Sequence, residues 1–189
     1  MPIKLTGPWD EGFALDVHTT SSQYLGDDPY GNPRFDSKYS KIGDLLHSYK
    51  YKNRHEKLDD IMEIVGSFID SWDVLKTVDF VLPVPPTKER IYQPASEVAR
   101  EIASLIGASY SYDVLQKTST AQAKDLFGDG KQVIQGTIIK TKNATREHNM
   151  LLVDDIYDTG TTLIECVNVL RQDENIKKIY VLTLTKKRT

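Results

Sequence analysis

Two adjacent carboxylates, Asp154 and Asp155, directly follow a run of four apolar residues, 150–153. Such an unbroken run predicts a strand buried on both faces, as in a parallel sheet. The two carboxylates would then lie at the carboxyl end of that strand, where open α/β sheets bind their ligands. Because carboxylates accept hydrogen bonds, this pair suits the hydroxyl groups of a sugar.

A turn of small polar residues follows the two carboxylates. It consists of Asp158, Thr159, Gly160, Thr161 and Thr162. Apolar residues then recur at helical spacing over 163–170, so the turn opens onto a helix N-terminus, which favours phosphate binding. Carboxylates that can accept hydrogen bonds from hydroxyl groups, next to a phosphate site, indicate a phosphorylated ribose as the ligand. An ordinary helix cap at Asp158 or Thr159 would explain one polar residue but not the acidic pair.

Composition bounds the remaining classes. At 189 residues the chain fits one domain, or one domain with an extension. The single cysteine, Cys166, cannot form an intramolecular disulfide and falls on the apolar face of its helix, so we expect it in the core of a protein from the reducing cytoplasm. The net charge of −3 gives no global case for nucleic-acid binding. No apolar run reaches membrane-spanning length. We expect the basic clusters at 50–57 and 186–188 to be solvated surface.

The remaining pattern is that of an α/β protein. Alternating apolar residues over 13–17 predict a half-buried strand, at an edge or in a hairpin, and 19–35 predicts a loop. Helices are predicted from the apolar faces of 42–49 and 58–72. We interpret 1–75 as a strand and helical cover within the same domain, and 76–189 as the core. The core is predicted to contain strands at 78–84, 110–115, 137–140, 150–153 and 178–184 and a helix from Pro94 to Ile106.

The apolar run, the acidic pair and the Thr159-Gly160-x-Thr162 turn together resemble the signature of type I phosphoribosyltransferases. The resemblance implies a mainly parallel sheet flanked by helices, and transfer of the 5-phosphoribosyl group from phosphoribosyl diphosphate (PRPP) to an acceptor. It further implies that Asp154 and Asp155 hold the ribose 2- and 3-hydroxyls, and that the segment 158–162 holds the 5-phosphate.

A diphosphate leaving group needs positive charge, from Mg²⁺ and from basic side chains. Lys88 and Arg90 follow the strand 78–84 at the same edge of the sheet, so we expect them to assist the leaving group. Mg²⁺ would reach Asp154 and Asp155 only indirectly, through PRPP. Solvated loop residues are the alternative for Lys88 and Arg90.

The polar segment 117–131 is long and contains glycine, which is typical of a lid over a reaction centre. Lys117 or Lys131 could reach the diphosphate from it. A plain surface loop is the alternative.

Weaker matches narrow the resemblance to ComF-like phosphoribosyltransferases and extend it over about 40–189. They are the helix end at 45–52, the segment Pro83-Val84-Pro85 with Arg90 and Gln93, and the pattern from Thr120 to Gly136. Many ComF-like chains begin with a Cys-x-x-Cys zinc ribbon, which this sequence lacks, so no DNA-uptake role is inferred.

The resemblance also suggests a chemical role for Asp158. In the purine-salvage branch, the Asp at the matching position contacts the incoming base and can take its proton, whereas ComF-like chains often have Thr there. An N-cap for the following helix is the alternative for Asp158.

The sequence therefore predicts a Mg²⁺-dependent phosphoribosyltransferase that acts on PRPP and a small-molecule acceptor, and it leaves room for a homodimer. A module of the same fold that binds PRPP or nucleotides without turnover is the first alternative. A phosphoacceptor receiver domain is a weaker one, because only one strand follows the acidic pair. The acceptor is not readable from the sequence.

Overall fold

The computed structural model describes residues 2–52, 54–86, 92–118 and 137–188. Its strands are β1 (Ile3–Lys4), β2 (Glu11–Val17), β3 (Thr19–Asp27), β4 (Pro33–Tyr39), β5 (Phe80–Pro83), β6 (Ser109–Tyr110), β7 (Leu115–Lys117), β8 (Ile138–Lys140), β9 (His148–Tyr157) and β10 (Ile176–Lys186). Its helices are α1 (Lys41–Tyr51), α2 (Lys57–Ile69), α3 (Pro94–Ile106), α4 (Thr161–Leu170) and a short 3-10 helix, Asp73–Thr77.

A six-stranded sheet organises the chain, in the order β1-β2-β10-β9-β5-β6. Each neighbouring pair from β2 to β6 is parallel, and only the two-residue β1 runs antiparallel to its neighbour. Parallel strands are buried on both faces, which explains the unbroken apolar sequences of β9 and β10. The α/β fold with a mainly parallel sheet is thereby confirmed.

Two hydrophobic cores lie on opposite faces of this sheet. One core packs α1, α2 and α3 against one face, around residues such as Leu46, Val65 and Ile102. The other packs α4 against the second face and contains Cys166, which is fully buried, as predicted. The helices thus form two outer layers, and the ends of the strands stay open at the edges of the sheet.

Strand β2 corrects the expectation of an edge or hairpin strand within a cover. It pairs in parallel with β10, from Glu11 opposite Tyr180 to Val17 opposite Lys186. Strand β2 is therefore part of the central sheet, and only the edge strand β1 lies beyond it in that sheet. The division of the chain at residues 75 and 76 stays a prediction.

The predicted loop at 19–35 is wrong, because β3 and β4 form an antiparallel hairpin across Thr19–Tyr39. Most of its residues are exposed, including Tyr24 and Phe35, which face each other across the strands. Both hairpin strands therefore lack the apolar alternation that signals a half-buried strand. The hairpin leaves the sheet at the carboxyl end of β2, the same edge as Asp154 and Asp155.

Candidate functional site

Asp154 and Asp155 lie near the carboxyl end of β9, as the sequence predicts, although the strand continues for two residues beyond them, to Tyr157. Its buried stretch, Met150 to Val153, lies between β5 and β10 in the sheet, whereas the strand beyond Val153 is paired only with β10. The backbone N–H of Asp155 donates to Oδ1 of Asp154 at 2.8 Å. The Thr185 hydroxyl on β10 donates to the carbonyl oxygen of Asp155 at 3.2 Å. Neighbouring groups therefore fix both the side chain of Asp154 and the backbone of Asp155.

Lys50 of α1 forms an ion pair with Asp155, with 2.5 Å between Nζ and Oδ2. The Lys50 side chain is only 7% exposed, and that of Asp155 is 22% exposed. The expectation that Lys50 is solvated surface is therefore wrong. Successive residues of a strand point to opposite faces of its sheet. Asp155 faces α1, and Asp154 accordingly points toward the α4 side.

Burial raises the pKa of the Asp154 carboxyl to about 7. The neighbouring charge of Asp155 adds to this rise, while the Asp155 N–H and the Lys50 ammonium oppose it. A second negative charge beside a buried carboxylate disfavours ionisation in this way. The site thus contains two carboxylates whose combined charge one lysine partly compensates.

The turn after β9 leads into α4 through a glycine with a left-handed backbone conformation. Gly160 has φ of 79°, in the left-handed region, and it precedes the first residue of α4. The positive φ favours glycine here, and a Cβ at this position would lie 2.6 Å from the Tyr157 hydroxyl, so the Tyr157 ring would also have to shift. Thr159 and Thr161 share a hydroxyl–hydroxyl hydrogen bond of 2.8 Å across the turn. The Thr161 N–H donates to Oγ1 of Thr159 at 3.4 Å. The N–H groups of a helix's first turn have no carbonyl partner within the helix, which favours an anion at this end.

Asp158 lies in the same turn but faces elsewhere. Its carboxylate accepts a hydrogen bond from the Lys187 ammonium, and the two side chains are 55% and 54% exposed. The N-cap residue of α4 is Gly160, without a side-chain cap. Neither the capping role nor a contact with the cavity is therefore seen for Asp158 in the described part of the chain.

A cavity of about 710 Å³ opens at the carboxyl edge of the sheet. Asp154, Asp155 and Thr162 line it from the motif, and Lys50 lines it from α1. The Pro83-Val84-Pro85 segment after β5 forms part of the same wall. Hydroxyl acceptors and the start of α4 thus share one concave space, which is large enough for a phosphorylated sugar.

Lys117 also lines the cavity, from the end of β7, where it pairs with Ile138 of β8. The first residue of the predicted lid is therefore in a strand. Lys88, Arg90 and Lys131, with the remainder of the lid from 119 onward, lie outside the described residues.

Lys50 and two tyrosines of the cavity wall, Tyr51 and Tyr112, are among the lining residues that sequence reasoning did not assign to the site. In the sequence, Lys50 comes four residues after the buried Leu46 and one after the buried Tyr49, so it lies beside the apolar stripe of α1. A lysine beside the apolar stripe of a helix is usually attributed to solvent, because its stem is long enough to reach water. Only the ion pair with Asp155 reveals that this one points inward.

Two further observations concern metal binding and membrane-spanning helices. Among residues 2–52, 54–86, 92–118 and 137–188, no group of three or more His, Cys, Asp or Glu side chains could hold a metal ion. None of the helices in those ranges is long and apolar enough to cross a membrane.

No protein-family model matches the chain. A curated relative, the amidophosphoribosyltransferase of Escherichia coli (strain K12), is 23% identical over 175 residues. The match covers 85% of this chain and 30% of the relative, so the chain spans less than a third of that protein's length.

Solved structures with a loosely similar fold include those of three phosphoribosyltransferases. A hypoxanthine phosphoribosyltransferase from Staphylococcus aureus has a TM-score of 0.45 and 18% identity, over 70% of this chain and 64% of that one. An adenine phosphoribosyltransferase has a TM-score of 0.44 and 12% identity, over 89% of this chain and 86% of that one. The orotate phosphoribosyltransferase from Aeropyrum pernix has a TM-score of 0.43 and 17% identity, over 86% of this chain and 75% of that one. Scores of this size describe a loose similarity and carry no argument about activity.

Proposed function

We propose that this protein transfers the 5-phosphoribosyl group from PRPP to an acceptor and releases diphosphate. The observation that carries this proposal is the shared cavity at the end of β9, which brings Asp154 and Asp155 together with the start of α4. The two carboxylates accept hydrogen bonds from the ribose hydroxyls, and the turn 158–162 binds the 5-phosphate. The partial positive charge at the helix start, about half an elementary charge, favours the phosphate at that end.

In the proposed reaction the bond between ribose C1 and the diphosphate oxygen breaks, and a bond from C1 to the acceptor's nucleophilic atom forms. The acceptor loses a proton, for which Asp158 is the proposed base once it is released from Lys187. The bond electrons leave with the diphosphate, so Lys88 and Arg90 are proposed to stabilise the negative charge that develops there. Lys117, which already lines the cavity, is proposed to contact the same group, and Lys131 is proposed to approach it when the segment 117–131 covers the site.

Mg²⁺ fits this site only as a companion of the ligand. The donor chemistry available is that of two carboxylates, and one of them is already paired with Lys50. Asp154 and Asp155 would hold the ion indirectly, through PRPP, and the ion would supply charge neutralisation to the diphosphate.

The curated relative supports the proposal, because an amidophosphoribosyltransferase matches 85% of this chain. The narrower assignment to a ComF-like branch rests on the sequence patterns alone and stays a prediction, as do a cytoplasmic location and a homodimer. The acceptor is open among purines, pyrimidines, amines and a macromolecule.

One observation favours a second candidate, a module that binds PRPP or a nucleotide without turnover. The proposed base, Asp158, pairs with Lys187 rather than lining the cavity. Under this alternative the ribose and phosphate contacts would be kept, and the chemical step would be absent.

Incubation with Mg²⁺, PRPP and a panel of bases, amines and cell extract separates the two candidates. Diphosphate release with a new phosphoribosylated product, detected by mass spectrometry, supports the transferase. Calorimetric binding of PRPP without product across the panel supports the binding module.

The double variant Asp154→Asn/Asp155→Asn is the control for the site. Hydrogen bonds to charged groups are each worth about 1.5–3 kcal/mol, so we expect a loss of PRPP affinity on the order of 10-fold or more. Unchanged affinity in a folded double variant would refute both candidates.

A further inference from the structure

We propose that Lys50 is a positioning residue for the ribose, whose ammonium holds one carboxylate oxygen of Asp155 so that the other oxygen accepts from a ribose hydroxyl. This inference rests on the proposed function, because it concerns how the same acidic pair receives its sugar.

The geometry supports a fixed rather than a casual contact. Lys50 Nζ lies 2.5 Å from Oδ2 of Asp155, and only 7% of the lysine side chain is exposed. A buried ammonium is costly unless it is paired, so the carboxylate holds the lysine as firmly as the lysine holds the carboxylate. Both residues line the cavity, which places their pair directly at the ligand space.

The helix that carries Lys50 is itself anchored at the open edge of the sheet. Ser40 caps α1 by accepting a hydrogen bond from the Gly43 N–H at 3.0 Å. An added Cβ on Gly43 would lie 2.1 Å from the carbonyl oxygen of His18, so α1 packs directly on the chain that follows β2. Leu46 and Tyr49 are buried between these points and the end of the helix. The packing of α1 therefore fixes the position of the Lys50 backbone, just as strand pairing fixes the part of β9 that Lys50 faces.

Charge gives the contact a function. Asp154 and Asp155 are adjacent carboxylates, and a phosphorylated sugar would add further negative charge to the same cavity. The Lys50 ammonium partly offsets this repulsion, and it also lowers the pKa of Asp154 against the opposing effect of burial. Without it, Asp155 would lose both its compensating charge and the partner that orients its carboxylate.

A competing use of the same ion pair is a plug, in which Lys50 occupies Asp155 and the ligand must displace it. The two uses predict opposite effects of removing the lysine. A positioning cation makes binding of the hydroxyl groups weaker when it is lost, and a plug makes it tighter.

Calorimetry with two probes tests the proposal, namely ribose 5-phosphate and 2,3-dideoxyribose 5-phosphate, which lacks both hydroxyls. The preference for ribose 5-phosphate measures the contribution of the acidic pair and is insensitive to phosphate binding. We expect this preference to fall about 10-fold or more in Lys50→Met, with the affinity for the dideoxy probe kept within about twofold.

Lys50→Arg retains the charge and should restore most of the preference. Lys52→Met is the matched control, because Lys52 is an exposed residue just after the same helix, and it should match the wild type. Circular dichroism verifies the fold of each variant. If Lys50→Met does not fold, Lys50→Gln, which keeps a hydrogen-bond donor, replaces it.

The outcomes separate this inference from the proposed function. If the wild type binds neither probe, the proposed function fails and the role of Lys50 fails with it. If the wild type prefers ribose 5-phosphate and the Lys50 variants keep or increase that preference, only the role of Lys50 is overturned.

Discussion

Residue by residue, the site depends on charges that oppose one another at the end of β9. Asp154 and Asp155 could be located from the sequence, because an apolar run that stops at an acidic pair is a local pattern. Lys50 could not, because its partner is 105 positions further along the chain and the two meet only when α1 packs on the sheet. The pairing of Asp158 with Lys187 was hidden for the same reason.

Asp154→Asn should change how stability depends on pH. Because the pKa of Asp154 is about 7 in the folded chain and 3.8 ordinarily, the folded state keeps a proton that the unfolded state has lost. The contribution of Asp154 to the free energy of unfolding therefore falls as pH rises from about 4 to about 7. One pKa unit corresponds to about 1.4 kcal/mol, so this fall is on the order of 1–4 kcal/mol.

Urea unfolding between pH 4.5 and 8 measures this effect. The Asn variant should lack the fall and gain stability relative to the wild type as the pH increases. Parallel curves for the two proteins would show that Asp154 is ionised throughout this range.

Asp158→Asn tests the proposed base. We expect PRPP affinity and stability to be retained, because Asp158 lies on the surface paired with Lys187, while turnover falls by about 10²–10⁴. The measurement is kcat with the acceptor that the panel identifies. Lys187→Met is the control, since it frees the same carboxylate without removing it and should not reduce turnover. Wild-type kcat in Asp158→Asn would leave Asp158 without a chemical role.

At the scale of the elements, burial decided which predictions were confirmed. The helices α1, α2 and α3 and the strand β9 each bury a face or a run of apolar residues, so their sequences carry a periodic signal. The hairpin β3–β4 buries neither face, and its sequence, rich in Thr, Ser and Asp, reads as a loop. Its strands are specified by cross-strand pairs such as Tyr24 with Phe35, which no local pattern reveals.

Gly43→Ala should disturb the seating of α1. The added methyl group would collide with the His18 carbonyl oxygen, 2.1 Å away, so the helix must shift. Overpacking of this kind costs about 1–3 kcal/mol, and the displacement should also weaken PRPP binding through Lys50. Thermal unfolding and calorimetry measure the two effects.

Gly66→Ala in α2 is the matched control for this substitution. Nothing lies within 4 Å of a Cβ at Gly66, so alanine should stabilise the helix by about 0.5–1 kcal/mol there. Equal effects of the two substitutions would show that the contact between Gly43 and His18 does not constrain α1.

At the scale of the whole molecule, the parallel sheet was predictable and its strand order was not. A buried apolar run indicates a parallel strand, but β2 and β10 pair across most of the chain, and nothing in either sequence specifies the other. The small β7–β8 ribbon is likewise joined to the body by long-range contacts. Asp173, after α4, accepts from Lys140 of β8 at 2.5 Å and from the Ala144 N–H at 2.8 Å.

Lys140→Met should destabilise the molecule, because the side chains of Lys140 and Asp173 are 11% and 8% exposed and the carboxylate would lose its charged partner. The expected cost is on the order of 3 kcal/mol in denaturant unfolding at pH 7. Hydrogen bonds from the Lys140 ammonium, and then from the Ala144 and Asn175 N–H groups, lower the pKa of Asp173 to about 2. The stabilisation that the ionised Asp173 contributes is therefore complete above about pH 4 and is lost as the pH falls toward 2. At that pH the free energies of unfolding of the variant and the wild type should converge.

Lys142→Met provides the comparison, since the Lys142–Asp113 pair is much more exposed, at 57% and 34%. Its loss should cost much less than the loss of the Lys140–Asp173 pair, because solvent screens an exposed ion pair. A cost for Lys140→Met as small as this would mean that the ribbon is held by its apolar residues rather than by Asp173.

The β3–β4 hairpin begins and ends at one point, because Thr19 pairs with Tyr39. The chain departs from β2 and returns to start α1 with its two ends side by side, and the excursion between them shares little of either core. Its exposed residues can therefore vary without displacing β2, α1 or Lys50, whereas Tyr39 at its base packs against His18 and against His47 of α1. The exposed part of the hairpin is therefore the portion of this edge of the sheet that can vary without moving the residues that line the cavity.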